Sequence, residues 1–436
     1  MFCYQCEMAA PGGCGLKGQP FGTCGKDENL ARLQDTMIFG LKGLSSYREH
    51  ARELGANTLP IDDVMAESLY FTLTNVNFNF TEHISQLMKI GAAGVQVMDL
   101  LAEAHTGTFG VPTPVEVTNN KAEGKAILVS GHNLKMLKSL LEATESYGIN
   151  VYTHSEMLPA HGYPELRKYK NLKGNIGKSW FDQTTLFEKW QGTILMSTNC
   201  IVPPESGTTY LDRLYTYKIV GVEQAKKVVN DDFSAIIKHT LRLPDVTGFD
   251  SPEVLQTGHH YKTVLDVFAK PILDAVAAGK IRKFFVIAGC DAPGTEGNYF
   301  RELAQMVPKD CVILTTSCGK FRFNDIDFGV IEGTNIPRYL DLGQCNDSNG
   351  AVHIALTLAS VLGVGVNDLP VSIVLSWMEQ KAVLILTSLL HLGIKNIYVG
   401  PKAPQFFNED ILNFLVEQFE LHLTSTPRED IFELLA

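Results

Sequence analysis

The sequence predicts a multidomain α + α/β protein: an amino-terminal cysteine loop and three-helix bundle, followed by two Rossmann-like α/β domains with parallel sheets. Three observations carry that expectation. Four of the nine cysteines crowd into a Gly- and Pro-containing stretch before residue 25. A helical spacing of apolar residues then runs from Glu28 to about His105. From Gly124 the rhythm changes to short apolar runs alternating with amphipathic segments, the pattern of parallel sheets covered on both faces. The expected divisions are residues 1–111, 112–258 and 259–436.

The first element, residues 1–27, is too poor in apolar periodicity to fold unaided. Its cysteines, Cys3, Cys6, Cys14 and Cys24, are spaced C-x2-C-x7-C-x9-C. A C-x-x-C pair can hold two corners of an iron–sulfur cluster, and two further thiolates complete four-cysteine ligation. Structural zinc is the competing reading, although it usually brings a second close pair. Gly12, Gly13, Gly15, Gly22 and Gly25 suit a loop wrapped tightly around an inorganic core. The helices come next: "NLARLQDTMIFGLKGLSSYREHARELG", "IDDVMAESLYFTLTNVNF" and "TEHISQLMKIGAAGVQVMDLLAEAH" place apolar residues three and four apart. "GTFGVPTPVEV" has the texture of a linker.

The α/β elements carry the chemistry. "AILVSG" runs into His132, "NVYTHS" into Glu156 and "TILMSTN" into Cys200. "FFVIAG" ends at Cys290, "VILTTS" at Cys318 and "VSIVLSWM" at Glu379, while "YLDLGQ" leads less cleanly to Cys345. Ligands of α/β proteins bind at the carboxyl ends of strands. Taken singly, each residue has a bland explanation as a turn histidine, a helix-capping glutamate or a buried thiol. Their recurrence at equivalent places points to one metal site assembled from distant segments. Four thiols, one imidazole and two carboxylates are too many and too mixed for one tetrahedral zinc, and suit a cluster bridged partly by sulfur and partly by oxygen. Cys311 opens the strand "CVILTTS" and reads as a small buried apolar residue. The sequence alone leaves open whether the two α/β parts are duplicates.

Composition excludes several classes. Lys+Arg 37 against Asp+Glu 48 gives −11, and no basic block appears, which argues against nucleic acid and anionic membranes as partners. The apolar stretch "AVHIALTLASVLGVGV" is shorter than the roughly 20 residues of a bilayer span and carries His353. Cys3 follows Met1 almost at once, with no basic-then-apolar leader, so a cytoplasmic location and reduced thiols are expected.

With these residues in view, "MFCYQCEMAA", "LQDTMIFGLKGLS", "GKAILVSGHNLKMLKSLLEAT", "GINVYTHSEMLPAHGYPELRKYKNLKGNIG", "ILMSTNCIVPP", "TTSCGKFRFN", "DLGQCND" and "WMEQKAVLILTSLLHLGIKNIYVGP" resemble the hybrid cluster proteins, also called prismane proteins or hydroxylamine reductases. The likeness spans nearly the whole chain, and it resembles the short class that lacks a second helical bundle. It implies a hybrid [4Fe–2O–2S] cluster where the domains meet, ligated by His132, Glu156, Cys200, Cys290, Cys318, Cys345 and Glu379. Cys290 would be the position that carries a persulfide in oxidised members, and Lys381 would lie near the cluster. The x7 gap resembles the [4Fe–4S] type of amino-terminal cluster more than the [2Fe–2S] type. "GCDAPG" departs from the more usual "GCDG" with the thiol retained. The family's dimer implies a homo-oligomer, though a missing bundle changes the surface available to it.

The implied activity is reduction of hydroxylamine to ammonia and water, with electrons relayed from an unidentified donor protein through the amino-terminal cluster. Glu379 is the expected labile ligand, with Lys381 and His132 as expected proton donors or orienters. The alternatives on the same cluster are reduction of nitric oxide, or a nitric-oxide-responsive protein that S-nitrosylates or signals to partners. Carbon monoxide dehydrogenases resemble the family in architecture, but a nickel–iron cluster fits this ligand set poorly.

Overall fold

The computed structural model describes residues 3–9, 14, 21–118, 123–247 and 253–436. Gly12, Gly13 and Gly15 of the cysteine loop lie outside the described residues. Three helices follow the loop: α1 (Glu28–Glu53), α2 (Leu59–Phe71) and α3 (Phe80–Phe109). Asp27 caps α1 by accepting from Leu30 N at 2.8 Å, and Asn79 caps α3 by accepting from Glu82 N at 3.2 Å. Leu33, Met37, Leu41 and Leu44 of α1 meet Ile90, Val97 and Leu101 of α3 in one core.

That core has a further member from far along the chain. The helix Gln380–His391 is buried from Lys381 to Leu390 and packs against both α1 and α3. Glycines make the approach close enough. A Cβ on Gly43 would lie 2.7 Å from the Gln380 carbonyl oxygen, and one on Gly91 2.3 Å from that of Thr387. By contrast α2 buries only Ile61 and Ser68 and sits at the edge of the bundle.

The segment expected as a linker is structured. Gly107–Phe109 still belongs to α3, and Val115–Thr118 forms β1. β1 pairs antiparallel with β8 (Val254–Thr257), from Val115↔Thr257 to Thr118↔Val254. The partner strand is far away in sequence, so local texture could not show the pairing.

Two six-stranded parallel sheets make up the rest. The first contains β2 (Ala126–Ser130), β3 (Asn150–His154), β4 (Leu172–Asn175), β5 (Thr193–Met196), β6 (Leu214–Tyr217) and β7 (Lys226–Val228) in the order β4-β3-β2-β5-β6-β7. The second contains β9 (Lys283–Gly289), β10 (Cys311–Thr315), β11 (Tyr339–Asp341), β12 (Val371–Ser376), β13 (Ile397–Gly400) and β14 (Leu421–Leu423) in the order β11-β10-β9-β12-β13-β14. All their pairings are parallel. Strand order reverses at the first strand of each sheet, β2 and β9, which is the doubly wound topology with its ligand crevice at the reversal. The two sheets are therefore wound identically. Cys311 is fully buried among Phe285, Ile287 and Ile313, as a small apolar residue would be.

Candidate metal centre

The shared winding sorts the seven candidate ligands into pairs, with one left over. His132 follows β2 and Cys290 follows β9, the first strands. Glu156 and Cys318 follow the second strands, β3 and β10. Cys200 and Glu379 follow the fourth, β5 and β12, and Cys345 follows the third strand of the second sheet only. Each chain segment must turn sharply off its strand to present its side chain. Gly131 (φ 116°), Ser155 (φ 52°), Gly289 (φ 110°) and Ser317 (φ 68°), the residues just before His132, Glu156, Cys290 and Cys318, all have positive φ. Cys200 itself has φ 72°. For a non-glycine residue this conformation costs on the order of 1–2 kcal/mol and persists only where the surroundings enforce it. At Gly131 no other residue fits, because a Cβ would lie 2.3 Å from Ser197 Oγ.

The carboxyl edges of the two sheets face each other, and the seven side chains converge between them. Ligand atoms of His132, Glu156 and Cys345, all buried, lie within 4.8 Å of one another. His132 Nε2 is 3.5 Å from Glu156 Oε2, which also accepts from Cys345 N at 2.8 Å. The Cys290 thiol donates to Glu379 Oε1 at 3.2 Å. Cys318 Sγ is 3.2 Å from Ser155 Oγ, and Asn199 Nδ2 donates to Cys200 Sγ at 3.3 Å. Cys290 feels the charges of Glu379, Cys318, Cys200 and Cys345, which ties the remaining members to the same point.

Residues not singled out from the sequence hold this set. Gln344 donates its amide to the carbonyls of Glu156 (2.7 Å) and His132 (3.3 Å), a buckle between the sheets. Thr198 Oγ1 lies 2.8 Å from His132 Nδ1 and accepts from His132 N at 2.9 Å. Lys320 and Asp341 form a fully buried ion pair at 2.7 Å, and Lys320 also donates to the Gly343 carbonyl at 2.9 Å, which fixes the turn into Cys345. The Tyr47 ring of α1 lies under the Lys381 ammonium, 5.4 Å from Nζ to the ring centroid. The basic residue after Cys318 was visible in "TTSCGKF", but Tyr47 showed only a helix-core position.

The electrostatics fit a cationic inorganic group. Burial and mutual repulsion hold the Cys290, Cys318 and Cys345 thiols well above the usual range, and burial pushes Cys200 up to about 12. Four such thiols can ionise together only around compensating positive charge. Burial and the nearby Lys381 lower His132 to about 4, leaving a neutral imidazole suited to ligation. Glu156 Oε1 and Lys381 Nζ are buried without a hydrogen-bond partner. Burial opposes the Lys381 charge, but Cys345, Cys200, Glu379 and Glu156 outweigh it and raise its pKa. Glu379 Oε1 also caps the helix Gln380–His391, accepting from Lys381 N at 2.9 Å and Ala382 N at 3.1 Å.

At the amino terminus, Cys3 and Cys14 lie side by side, with Cys14 N donating to the Cys3 carbonyl at 3.0 Å. A Cβ on Gly22 would lie 3.6 Å from Cys14 Sγ. Cys3 is buried, Cys14 and Cys24 are half-buried and Cys6 is exposed. Beneath them Lys26 is 1% exposed and donates to Gln5 Oε1 (2.7 Å) and Gln34 Oε1 (2.5 Å). A buried ammonium beside Cys3 suits an anionic cluster there. Among the described residues, no helix is long and apolar enough to cross a membrane.

Known proteins share both the sequence and the architecture. The family model described as Prismane/CO dehydrogenase family matches residues 1–87 and 62–432. A hydroxylamine reductase of Thermotoga petrophila is 48% identical over 100% of this chain and 99% of its own length. That of Moorella thermoacetica is 48% identical over the full length of both. A longer hydroxylamine reductase, from Geobacter metallireducens, is 38% identical in an alignment of 551 positions covering 99% of this chain, so extra segments separate it from the 436 residues of the short form. In fold, carbon monoxide dehydrogenase from Thermococcus sp. AM4 superposes with a TM-score of 0.79 over 100% of this chain and 90% of its own, at 16% identity. With a family model over nearly the whole chain and relatives that match its full length, the chain belongs to the Prismane/CO dehydrogenase family and is an iron–sulfur oxidoreductase.

Proposed function

We propose that the protein reduces hydroxylamine: NH2OH + 2 H+ + 2 e− → NH3 + H2O. The convergence of His132, Glu156, Cys200, Cys290, Cys318, Cys345 and Glu379 between two sheet edges carries this reading, supported by the hydroxylamine reductases that match the whole chain. These seven residues would hold the hybrid [4Fe–2O–2S] group, with Cys290 as the persulfide position. Cys3, Cys6, Cys14 and Cys24 would hold a [4Fe–4S] group, in preference to [2Fe–2S], that receives electrons from a donor protein. In this reading the division at residue 111 sets the amino-terminal cysteines apart from the seven, and the division at 258 shares the seven between the two sheets.

When bound, the hybrid group supplies Lewis acidity and electrons. The chain supplies geometry and protons. Lys381, charged, buried and unpartnered at Nζ, is poised to donate a proton within the site. His132 is held through Nδ1 by Thr198, which leaves Nε2, facing Glu156 at 3.5 Å, free to ligate, so it serves as an oriented ligand rather than a proton donor. Glu379 is the adaptable ligand, because a carboxylate can serve the helix terminus through one oxygen and change its use of the other.

A second reading, reduction of nitric oxide on the same group, draws on a different observation. A cavity of about 420 Å3 runs along the second sheet between Lys283 and Gly289 and ends against Ser376 and Met378 beside Glu379; Lys395, Asn396 and Glu420 are among its polar walls, and Val286, Ala288, Val352 and Ile385 form an apolar stretch. Such a stretch suits a small uncharged gas. Low-temperature EPR through a redox titration of anaerobically purified protein tests the proposal. Two separately titrating iron–sulfur centres, one altered by hydroxylamine, support it; a single conventional signal indifferent to hydroxylamine sinks it. Turnover rates with hydroxylamine and with nitric oxide then rank the two substrates.

A further inference from the structure

A second cavity, of about 590 Å3, reaches the same site between α1, the loop after β6 and the start of the helix Gln380–His391. Glu379 and Lys381 line it together with Thr198, whose hydroxyl lies against His132, and the exposed Asn199, which donates to Cys200. Ser45, Ser46 and Ser197 add hydroxyls to walls that are otherwise mostly apolar.

Two ion pairs line the cavity, Arg48–Glu49 within α1 and Glu53–Lys218, and only the second joins α1 to the loop after β6. Glu53, at the last position of α1, is bonded to Lys218 Nζ from the loop after β6. Its other oxygen accepts from Asn133 Nδ2 at 2.7 Å, next to His132, and its carbonyl accepts from Lys135 Nζ at 2.7 Å. Glu53 is therefore fixed from behind, with its side chain 10% exposed, whereas Lys218 is 42% exposed. Lys218 stands at φ 49° in a loop whose next residue, Ile219, is 94% exposed. Of the two partners, Lys218 is the one free to swing away.

We infer that this cavity is the entrance through which small solutes reach Glu379 and Lys381, and that the Glu53–Lys218 pair is a bar that limits the size of what enters. The inference rests on the proposed reaction centre for its purpose, but the entrance itself stands on geometry. A half-exposed ion pair holds a closed form over an open one by no more than about fivefold, so the bar opens readily and slows bulky solutes more than small ones.

Two access assays test it. In iron-loaded protein, iron release is timed with 2,2′-bipyridine and with the bulkier bathophenanthroline disulfonate. In the metal-free full chain, alkylation of Cys200 is timed with iodoacetamide and with a polyethylene-glycol maleimide. Lys218→Ala is expected to speed the bulky reagent in each pair about three- to fivefold and the small one less, with Lys218→Arg restoring the native rates. Lys168→Ala, which breaks an exposed ion pair to Glu165 away from both cavities, serves as the control. Unchanged rates in Lys218→Ala, an equal rise for both reagents of a pair, or a matching rise in Lys168→Ala would each overturn the inference. Protein that carries no iron would refute the proposed function, and the alkylation rates would still decide the entrance.

Discussion

Glu379 and Lys381, neighbours at one helix terminus, have different proposed roles, and two substitutions separate them. Glu379→Gln keeps an oxygen able to accept from Lys381 N and Ala382 N, so the helix cap survives and stability changes by less than about 1 kcal/mol. Iron content should stay nearly intact while hydroxylamine turnover is suppressed; unchanged turnover would remove Glu379 from the mechanism. Lys381→Met replaces a buried ammonium by an apolar chain of similar length. Turnover should fall by about 10²- to 10⁴-fold, the range for loss of a positioned acid, with iron retained on metal analysis. At this scale the ligating residue types were legible, because each stands where an apolar run stops. The residues that aim them were not. Tyr47 and Gln344 reach the site from segments some three hundred residues apart, and nothing in "GLSSYRE" or "DLGQC" records that meeting.

Among the elements, the helix Gln380–His391 depends most on what is missing from its neighbours. Gly91 and Gly94 of α3 leave room for Thr387 and Ser388, and a Cβ at either glycine would lie 2.3 Å from an atom of that helix. Gly91→Ala or Gly94→Ala should therefore destabilise by about 1–3 kcal/mol in urea unfolding. Gly107→Ala, in the same helix with nothing within 4 Å, should be neutral or stabilise by up to about 1 kcal/mol. Equal losses at all three positions would mean that α3 tolerates no alanine, whatever its packing. The strands bounded by clear apolar runs, β2, β3, β5, β9, β10, β12 and β13, were readable because buried parallel strands are continuously apolar. β4 ("LKGN") and β7 ("KKV") carry polar residues and take their places only through their neighbours. β1 was hidden in a Gly/Pro texture for the same reason.

For the molecule as a whole, buried histidines set a pH limit. Burial lowers His105, His154 and His260 to about 3, and His161 and His259 to about 4. Each is neutral in the fold and takes up a proton on unfolding once pH drops below about 6.5. Their contribution is therefore complete above about pH 6.5 and is lost as pH falls toward 4, at up to about 1.4 kcal/mol per pH unit for each histidine. Urea midpoints of the metal-free protein should hold above about pH 6.5 and fall steeply from there toward pH 4; a flat profile would show that these rings reach solvent.

The alternation of candidate ligands between two identically wound sheets also sets an order for biosynthesis. Cys3 to Cys24 are made before any of the seven convergent residues, so the two sets of thiols appear at different times. The site between the sheets has no complete wall until Glu379 has followed β12. Whatever fills it must therefore meet a chain in which both sheets have largely been made, and a product truncated before Glu379 keeps the first four thiols without ever acquiring the second site.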